Sequence, residues 1–478
     1  MSTLHRLRRM ALRVLFCLSA IPSLVFAAND IHIPKFERIA LANGAVLLLM
    51  ERHDVPLIAF NADLRGGAMT DPVDASGSAS LLANLLEKGA GPRAAFAFAD
   101  AIAAVGGAIS TAADTESISV SGSFLNKDRA LMIELLADML QRPRLEQAEF
   151  ASLRSRQIDF LRAAKDSDLG SLTSTYGVAA LFGNHVYGKS SVGSEAGLAA
   201  ITHEQLSRFY RDEVGADRLI LTIVGDFSTA DLKPLVTKAF AGWRKAGKPF
   251  VKPAPAARVT GRRVLLVDAP TSVQSYFWAG NVGVNRSFAQ RAPLDVVNTL
   301  FGGRFTSLLN SELRIRTGLS YGASSRFDRM LEPGAWQLTS FTKTASTIEA
   351  IDLALEVVDR LHGNIIDATM LDSSKAYVRG QFPLALETSA QWAGALSDLE
   401  FYGLDRSYIE QRLSLLGAVT LDDARKVVQE QFPTADNLTL VVIGNAALIR
   451  EGLRKYGPVT EMNLSDPAFA PQHCSDCD

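Results

Sequence analysis

The pattern of apolar and polar residues predicts strands and helices along most of the chain. Short apolar runs predict strands at residues 38–41, 46–49, 57–64, 108–112, 117–123, 219–225 and 437–444. Apolar residues at helical spacing predict helices at 76–88, 93–105, 127–141, 145–165, 171–182, 203–213, 229–242, 421–431 and 446–455. The first two strands flank Asn43-Gly44, which is a strong signal for a hairpin turn.

One strand–helix pattern occurs twice. Residues 217–225 and 436–444 align without a gap, 219 residues apart, and a helical segment follows each. A repeat of this length indicates duplicated domains, not a solenoid. The basic segment 244–262 contains three prolines, which is typical of a linker. We therefore predict an α+β protein with two homologous domains, 30–245 and 263–465, joined by a linker at 246–262. Each domain is expected to be a mixed β-sheet layered with helices.

The first 27 residues have the features of a secretory signal peptide. Four arginines precede any acidic residue, and an apolar run at 14–26 ends in Ala27-Ala28. The alternative is an uncleaved membrane anchor, but the run is short for a span of about 20 residues and contains Pro22. We expect cleavage after Ala27 or Ala28, a periplasmic protein and no membrane association afterwards.

Charge and cysteine content exclude two classes of protein. The 49 basic and 51 acidic residues nearly balance, which argues against a nucleic-acid-binding surface. Three cysteines are too few for a disulfide scaffold. Cys474 and Cys477 lie in a polar segment, 466–478, which we predict to be a mobile tail. A local disulfide, a weak metal site with His473 and a redox motif all stay open for this pair.

A set of ordered landmarks runs through both predicted domains. They are Gly67, Pro72, Gly77, Gly106-Gly107, Glu116, 185–188, 224–226, 302–310 and 313–322. In this order they resemble the pitrilysin, insulinase and mitochondrial processing peptidase family of zinc peptidases. The resemblance implies that the two domains form half of a clam-shell peptidase chamber.

The sequence departs from this family where the metal should bind. Active members carry His-x-x-Glu-His on one helix, with histidines as zinc ligands and the glutamate activating water. That motif aligns with residues 80–84, so Ser80, Ala83 and Asn84 occupy the three functional positions. The family's third ligand, a glutamate, aligns with Phe160, and Asp159 is one residue away. The resemblance therefore implies a degenerate motif and no metal on this chain.

Histidine spacing supports this interpretation without any family knowledge. The two closest of the seven histidines, His185 and His203, are 18 residues apart. No pair can therefore share a helical turn, and we expect each histidine to be structural. Residues 79–88 then fit an ordinary amphipathic helix whose apolar face is formed by leucines.

A second motif of the family is retained. The resemblance implies that Arg314 and Tyr321, seven residues apart, reach toward the zinc from the second domain or from a partner subunit. A guanidinium can donate several hydrogen bonds to peptide carbonyls. A phenol can stabilise the oxyanion formed during amide hydrolysis. The alternative is a structural arginine and a core tyrosine.

These features together predict a zinc-free, non-catalytic subunit of a heteromeric periplasmic metallopeptidase. Its expected partner is a homologous His-x-x-Glu-His subunit that holds the zinc, and its expected substrates are peptides. The substrate is expected to add to a sheet edge of the partner, leaving residues 110–112 here as a remnant. We expect the linker to be a hinge or a partner contact. The alternative function is a proteolytically inactive peptide-binding or scaffold protein of the same fold.

Overall fold

The computed structural model describes residues 31–471 of the 478-residue chain. The predicted signal peptide and the Cys474–Cys477 pair lie outside the described residues. Within 31–471, no helix has both the length and the apolar character that a membrane crossing requires.

The strands alternate with helices as the apolar pattern predicts. The strands are β1 (Phe36–Ala40), β2 (Val46–Glu51), β3 (Leu57–Arg65), β4 (Gly89–Ala90), β5 (Arg93–Ala94), β6 (Ala108–Ala113), β7 (Ser117–Leu125), β8 (Leu219–Gly225), β9 (Arg263–Asp268), β10 (Gln274–Val282), β11 (Ala323–Arg329), β12 (Pro333–Lys343), β13 (Thr439–Gly444) and β14 (Val459–Asn463). The helices of the first half are α1 (Ser78–Leu86), α2 (Ala95–Ala103), α3 (Arg129–Gln141), α4 (Gln147–Ser167), α5 (Leu169–Phe182), α6 (Glu195–Ala200), α7 (His203–Glu213) and α8 (Thr229–Phe240). Those of the second half are α9 (Arg291–Asn298), α10 (Leu308–Asn310), α11 (Thr347–His362), α12 (Ala368–Leu384), α13 (Ser389–Tyr402), α14 (Ser407–Glu410), α15 (Arg412–Ala418), α16 (Leu421–Gln431) and α17 (Ala446–Leu453).

Two six-stranded mixed sheets have matching topology. Their strand orders are β1-β2-β8-β3-β7-β6 and β11-β12-β10-β13-β9-β14. The repeated segments predicted from the sequence become β8 and β13, which hold equivalent inner positions. The sheets differ at one edge, because β1 pairs antiparallel with β2 whereas β14 pairs parallel with β9. At the other edge, β6 and β11 are equivalent and each pairs with one neighbour only.

Each domain contributes a helix that covers the sheet of the other. Helix α5 packs on β10 and β13, and helix α13 packs on β3 and β8. The first contact is close, because a Cβ added at Gly177 would lie 2.3 Å from the buried ring of Trp278. At the second, Thr222 and Ser397 are joined by a 2.9 Å hydrogen bond between their hydroxyls. The two domains are therefore interlocked through a buried interface.

The linker is held against the protein surface. It has no regular element, but Lys248 O accepts a 2.9 Å hydrogen bond from Arg218 Nη2. His185 Nε2 lies 2.7 Å from Ala254 O, and Val259 N donates to Asn281 Oδ1 at 2.8 Å. The linker therefore contacts both domains along its length, which does not fit a free hinge, and a partner contact stays a prediction.

The end of the described chain returns to the first domain. Phe469 is buried and packs edge-on against Tyr176, with ring centroids 5.0 Å apart. Lys165 Nζ donates a 2.6 Å hydrogen bond to Asp466 O. Residues 466–471 are therefore packed, not a mobile tail as predicted, because an aromatic side chain anchors them.

Candidate functional site

The helix that carries the degenerate motif is fixed by a buried carboxylate. Asp71 Oδ2 accepts a 2.7 Å hydrogen bond from Gly77 N, and its Oδ1 accepts a 2.8 Å bond from Ala79 N. Burial outweighs these bonds and raises the pKa of Asp71 to about 7. The buried apolar face of α1 consists of Leu81, Leu82, Leu85 and Leu86. The leucine face predicted for residues 79–88 is thereby confirmed, although the helix ends at Leu86.

The polar face of α1 is hydrogen-bonded to α4 where a metal would bind. Gln157 Nε2 donates to Ser80 Oγ at 2.9 Å and to Val192 O at 2.8 Å. The Val192 carbonyl can only accept a hydrogen bond, so the Gln157 side chain must direct its NH2 group, and not its oxygen, toward Val192 O. The same NH2 group therefore faces Ser80. Asn84 is exposed. A hydroxyl and an amide donor do not fit zinc, which prefers imidazole, thiolate or carboxylate ligands.

The third-ligand position predicted from spacing is wrong in the structure. The Phe160 side chain is 63% exposed, and Asp159 is an exposed residue 3.8 Å from Arg162. The residue of α4 that faces Ser80 is Gln157, three positions before Phe160. Counting along the chain therefore gave a position three residues beyond the side chain that faces α1.

The exposed sheet edge of the first domain is capped by its own chain. Strand β6 pairs with β7 on one side, and Thr111 N donates a 2.8 Å hydrogen bond to Glu87 Oε1. A peptide that adds as a strand needs free backbone N–H groups at the edge. Glu87 occupies one of those donors, so the predicted remnant strand is partly satisfied internally.

Four of the five histidines at residues 31–471 make polar contacts within the chain. They lie within 3.2 Å of a carboxylate or a backbone carbonyl oxygen: His53, His185, His203 and His362. Across residues 31–471, no three His, Cys, Asp or Glu side chains are grouped so that they could hold a metal ion.

In the second domain, the retained motif faces solvent. The segment Ser311–Arg316 is a π-helix that ends just before Gly318, whose φ of +66° turns the chain toward β11. Arg314 is exposed, and its guanidinium carbon lies 4.7 Å from the Phe305 ring centroid. Tyr321 is 78% exposed and precedes the first residue of β11 by two positions. Tyr321 is therefore not a core residue, and the alternative interpretation of a core tyrosine at this position is wrong.

A buried carboxylate joins the two domains at the other end of β11 from this motif. Glu116, at the turn between β6 and β7, accepts hydrogen bonds from Tyr187 Oη at 2.5 Å and from Leu331 N at 3.0 Å. Tyr187 Oη in turn accepts a 3.0 Å bond from Glu332 N. Burial raises the pKa of Glu116 above its usual range. Equivalent hairpins of the two domains therefore meet at Glu116, and this role was not evident from its place among the sequence landmarks.

A polar cavity of about 640 Å³ lies between the domains beside this contact. Asp63, Asp114 and Asp398 line it, and Arg286 pairs with Asp398. Burial, with the nearby charges of Asp398 and Asp114, raises the pKa of Asp63 to about 7. The protonation of Asp63 in this cavity is therefore coupled to the contact between the two domains.

Comparison with known proteins places this geometry in a family. The profile described as "Insulinase (Peptidase family M16)" matches residues 59–189, and "Peptidase M16 inactive domain" matches 200–377. An uncharacterized zinc protease of Mycobacterium leprae is 26% identical over 366 residues, which cover 76% of this chain and 82% of that protein. The non-peptidase homolog YmxG of Helicobacter pylori is 21% identical over 399 residues, covering 83% and 90%. The crystal structure of an M16 inactive domain from Pseudomonas fluorescens has the same fold, with a TM-score of 0.80, 22% identity and coverage of 86% and 98%.

Proposed function

The chain belongs to the M16 peptidase family as a non-catalytic member, and we propose that it is the zinc-free subunit of a heteromeric periplasmic peptidase. Membership confirms the resemblance and the α+β fold predicted from the sequence. The observation that carries the proposal is the contrast between the two motifs. Ser80 is tied to Gln157, whereas Arg314 and Tyr321 are exposed.

In this proposal, Arg314 and Tyr321 act on a peptide held against a partner. The partner would carry His-x-x-Glu-His, and its zinc would supply the activated water. The Arg314 guanidinium would donate hydrogen bonds to substrate carbonyls and so orient the peptide. The Tyr321 phenol would donate a hydrogen bond to the developing oxyanion, a contribution worth about 10²–10³ in rate. No general base or nucleophile on this chain takes part.

The alternative is a peptide-binding or scaffold protein that takes no part in cleavage. The Glu87–Thr111 hydrogen bond favours it, because it shows polar groups of the first domain satisfied within the chain. It does not account for the exposure of both Arg314 and Tyr321, which a scaffold has no need to retain.

A pull-down from the native periplasm tests the proposal. The tagged chain is captured, co-purifying proteins are identified by mass spectrometry, and the main partner is mixed with the purified chain at equal concentration. We expect a homologous partner with His-x-x-Glu-His and peptide hydrolysis that requires both chains. Self-association alone, or a partner that is not a peptidase, would contradict the proposal and favour the scaffold role.

A further inference from the structure

A second cavity opens beside the retained arginine. It has a volume of about 510 Å³ and lies between helix α5 and strands β10, β11 and β12. Its walls include Arg314, Arg326, Ser324, Tyr276 and Phe341. The volume is within the range of pockets that hold small ligands, about 300–1,000 Å³. The cavity therefore extends the Arg314 surface into a pocket that can receive part of a peptide.

The charged groups on this wall all have the same sign. Arg314 and Arg326 line the cavity, and no carboxylate from residues 31–471 does. Arg326 Nε donates a 2.8 Å hydrogen bond to Asp328, so its charge is partly neutralised. Arg314 differs, because within residues 31–471 its charge contacts only the Phe305 ring. Its guanidinium donors are therefore available to an anionic ligand.

An acidic residue close to Tyr276, Asp168, lies at a helix end. Asp168 is the N-cap of α5 and accepts a 3.3 Å hydrogen bond from Ser171 N. Together with burial, its charge raises the pKa of Tyr276. Asp168 is exposed, and its charge acts on the Tyr276 side of the cavity.

Another part of the cavity wall is aromatic. Tyr276 on β10 and Phe341 on β12 are direct cross-strand partners, and their rings stack with centroids 5.7 Å apart at 23°. Tyr276 Oη donates a 2.8 Å hydrogen bond to Gln274 Oε1, which fixes the phenol. An aromatic pair held in this way offers a rigid surface for an apolar or aromatic side chain.

We propose that this cavity is a subsite for a peptide carboxylate. The carboxylate binds the Arg314 guanidinium, and a neighbouring aromatic side chain packs on Tyr276 and Phe341. The carboxylate is either the C-terminus of the peptide or an Asp or Glu side chain. The inference rests on the proposed function and names its substrate class, which is acidic or C-terminal segments of peptides. The subsite is formed by this chain alone, so binding can be measured without a partner.

Binding to the purified full chain without a partner tests the subsite. Fluorescence anisotropy compares four versions of one labelled, phenylalanine-containing short peptide: with Glu or Gln beside the Phe, each with a free or an amidated C-terminus. We expect a version with the recognised carboxylate to bind about tenfold more tightly than the version with no carboxylate, as a hydrogen bond to a charged group implies. A preference confined to the free C-terminus or to Glu identifies the source of the carboxylate. Equal affinity for all four versions would overturn the proposal.

Two neighbouring arginines provide a matched pair of variants. Arg314→Gln should abolish the carboxylate preference while weak binding of the uncharged peptide remains. Arg316→Gln should keep the preference, because Arg316 pairs with Glu312 and does not line the cavity. An equal loss in both variants, or a preference that survives Arg314→Gln, contradicts the assignment. Failure to find a peptidase partner, with the preference intact, would refute the proposed function and leave the subsite standing.

Discussion

The two domains share one fold, but the polar groups of the first half-site are hydrogen-bonded within the chain and those of the second are exposed. In the first, Ser80 is hydrogen-bonded to Gln157 and Thr111 N to Glu87. In the second, Arg314 and Tyr321 are exposed. A buried polar group without a partner costs about 1–3 kcal/mol, whereas an exposed one is hydrated. The first half-site is thus satisfied within the chain, and the second needs a ligand or a partner to give it a role.

The largest expected effect comes from rebuilding the first half-site. The variant Ser80→His, Ala83→Glu, Asn84→His and Gln157→Glu introduces two imidazoles and two carboxylates, with the carboxylate at position 157 on α4 as the third zinc ligand. We expect one zinc per chain by metal analysis, against none in the variant that keeps Gln157, since three protein ligands are needed for such a site. A folded fourfold variant without zinc would show that the spacing of the helices, and not only their side chains, has changed.

The second largest effect concerns Tyr321 in the reconstituted complex. Tyr321→Phe should lower kcat by about 10²–10³ because the oxyanion loses one donor. Tyr377→Phe removes another exposed phenol, on α12, and should leave the rate unchanged. Ser80→Ala should also leave the rate unchanged. If Ser80→Ala matches Tyr321→Phe, the asymmetry between the domains is not functional.

A smaller effect concerns the pH dependence of the contact between the domains. The pKa of Asp63 is raised to about 7, so the folded state holds a proton that the unfolded state releases near its usual value. Stability from this group is present at low pH and is lost as the pH rises toward and through 7. The loss begins above the usual pKa near 3.8, so Asp63→Asn should raise the Tm relative to the parent by more at pH 8 than at pH 5.

An exposed aspartate provides the control for this titration. The Asp422 side chain is 93% exposed, and Asp422→Asn should shift the Tm equally at both pH values. A Tm difference for Asp63→Asn that is independent of pH would refute the coupling of charge to the interface.

The smallest effect is expected at the capped edge strand. Glu87→Ala removes the acceptor for Thr111 N, so the amide should exchange about five- to tenfold faster, equivalent to about 1 kcal/mol. Hydrogen exchange of the segment 108–113 measures this change, and Lys88→Ala is the control from the same turn. Unchanged exchange would mean that the edge is not held by Glu87.

Local patterns predicted most elements of the first domain and the last strand and helices of the repeat, because apolar periodicity reflects which face is buried. The hairpin at Asn43-Gly44, the equivalent strands β8 and β13 and the leucine face of α1 all have the predicted form. The lack of metal-ligating residues at 80–84 was also readable from residue types alone.

Contacts between distant segments could not be predicted in this way. Gln157 lies 77 residues from Ser80, and the residue that faces α1 depends on the helical phase of α4. Glu116 meets Leu331 across 215 residues, only because two hairpins converge. The packing of Phe469 on the first domain likewise depends on the path of the chain after β14. Spacing along the sequence does not show which way a helix face points or which distant segments meet.

The most direct test of the split site is the zinc content of the native complex after its chains are separated. The measurement uses a Cys474→Ser, Cys477→Ser form of this chain, so that the tail cannot contribute ligands. We predict one zinc per complex, retained entirely by the His-x-x-Glu-His partner, and peptide hydrolysis only when the chains are recombined. Stoichiometric zinc on this chain, with chelator-sensitive hydrolysis in the absence of a partner, would contradict it.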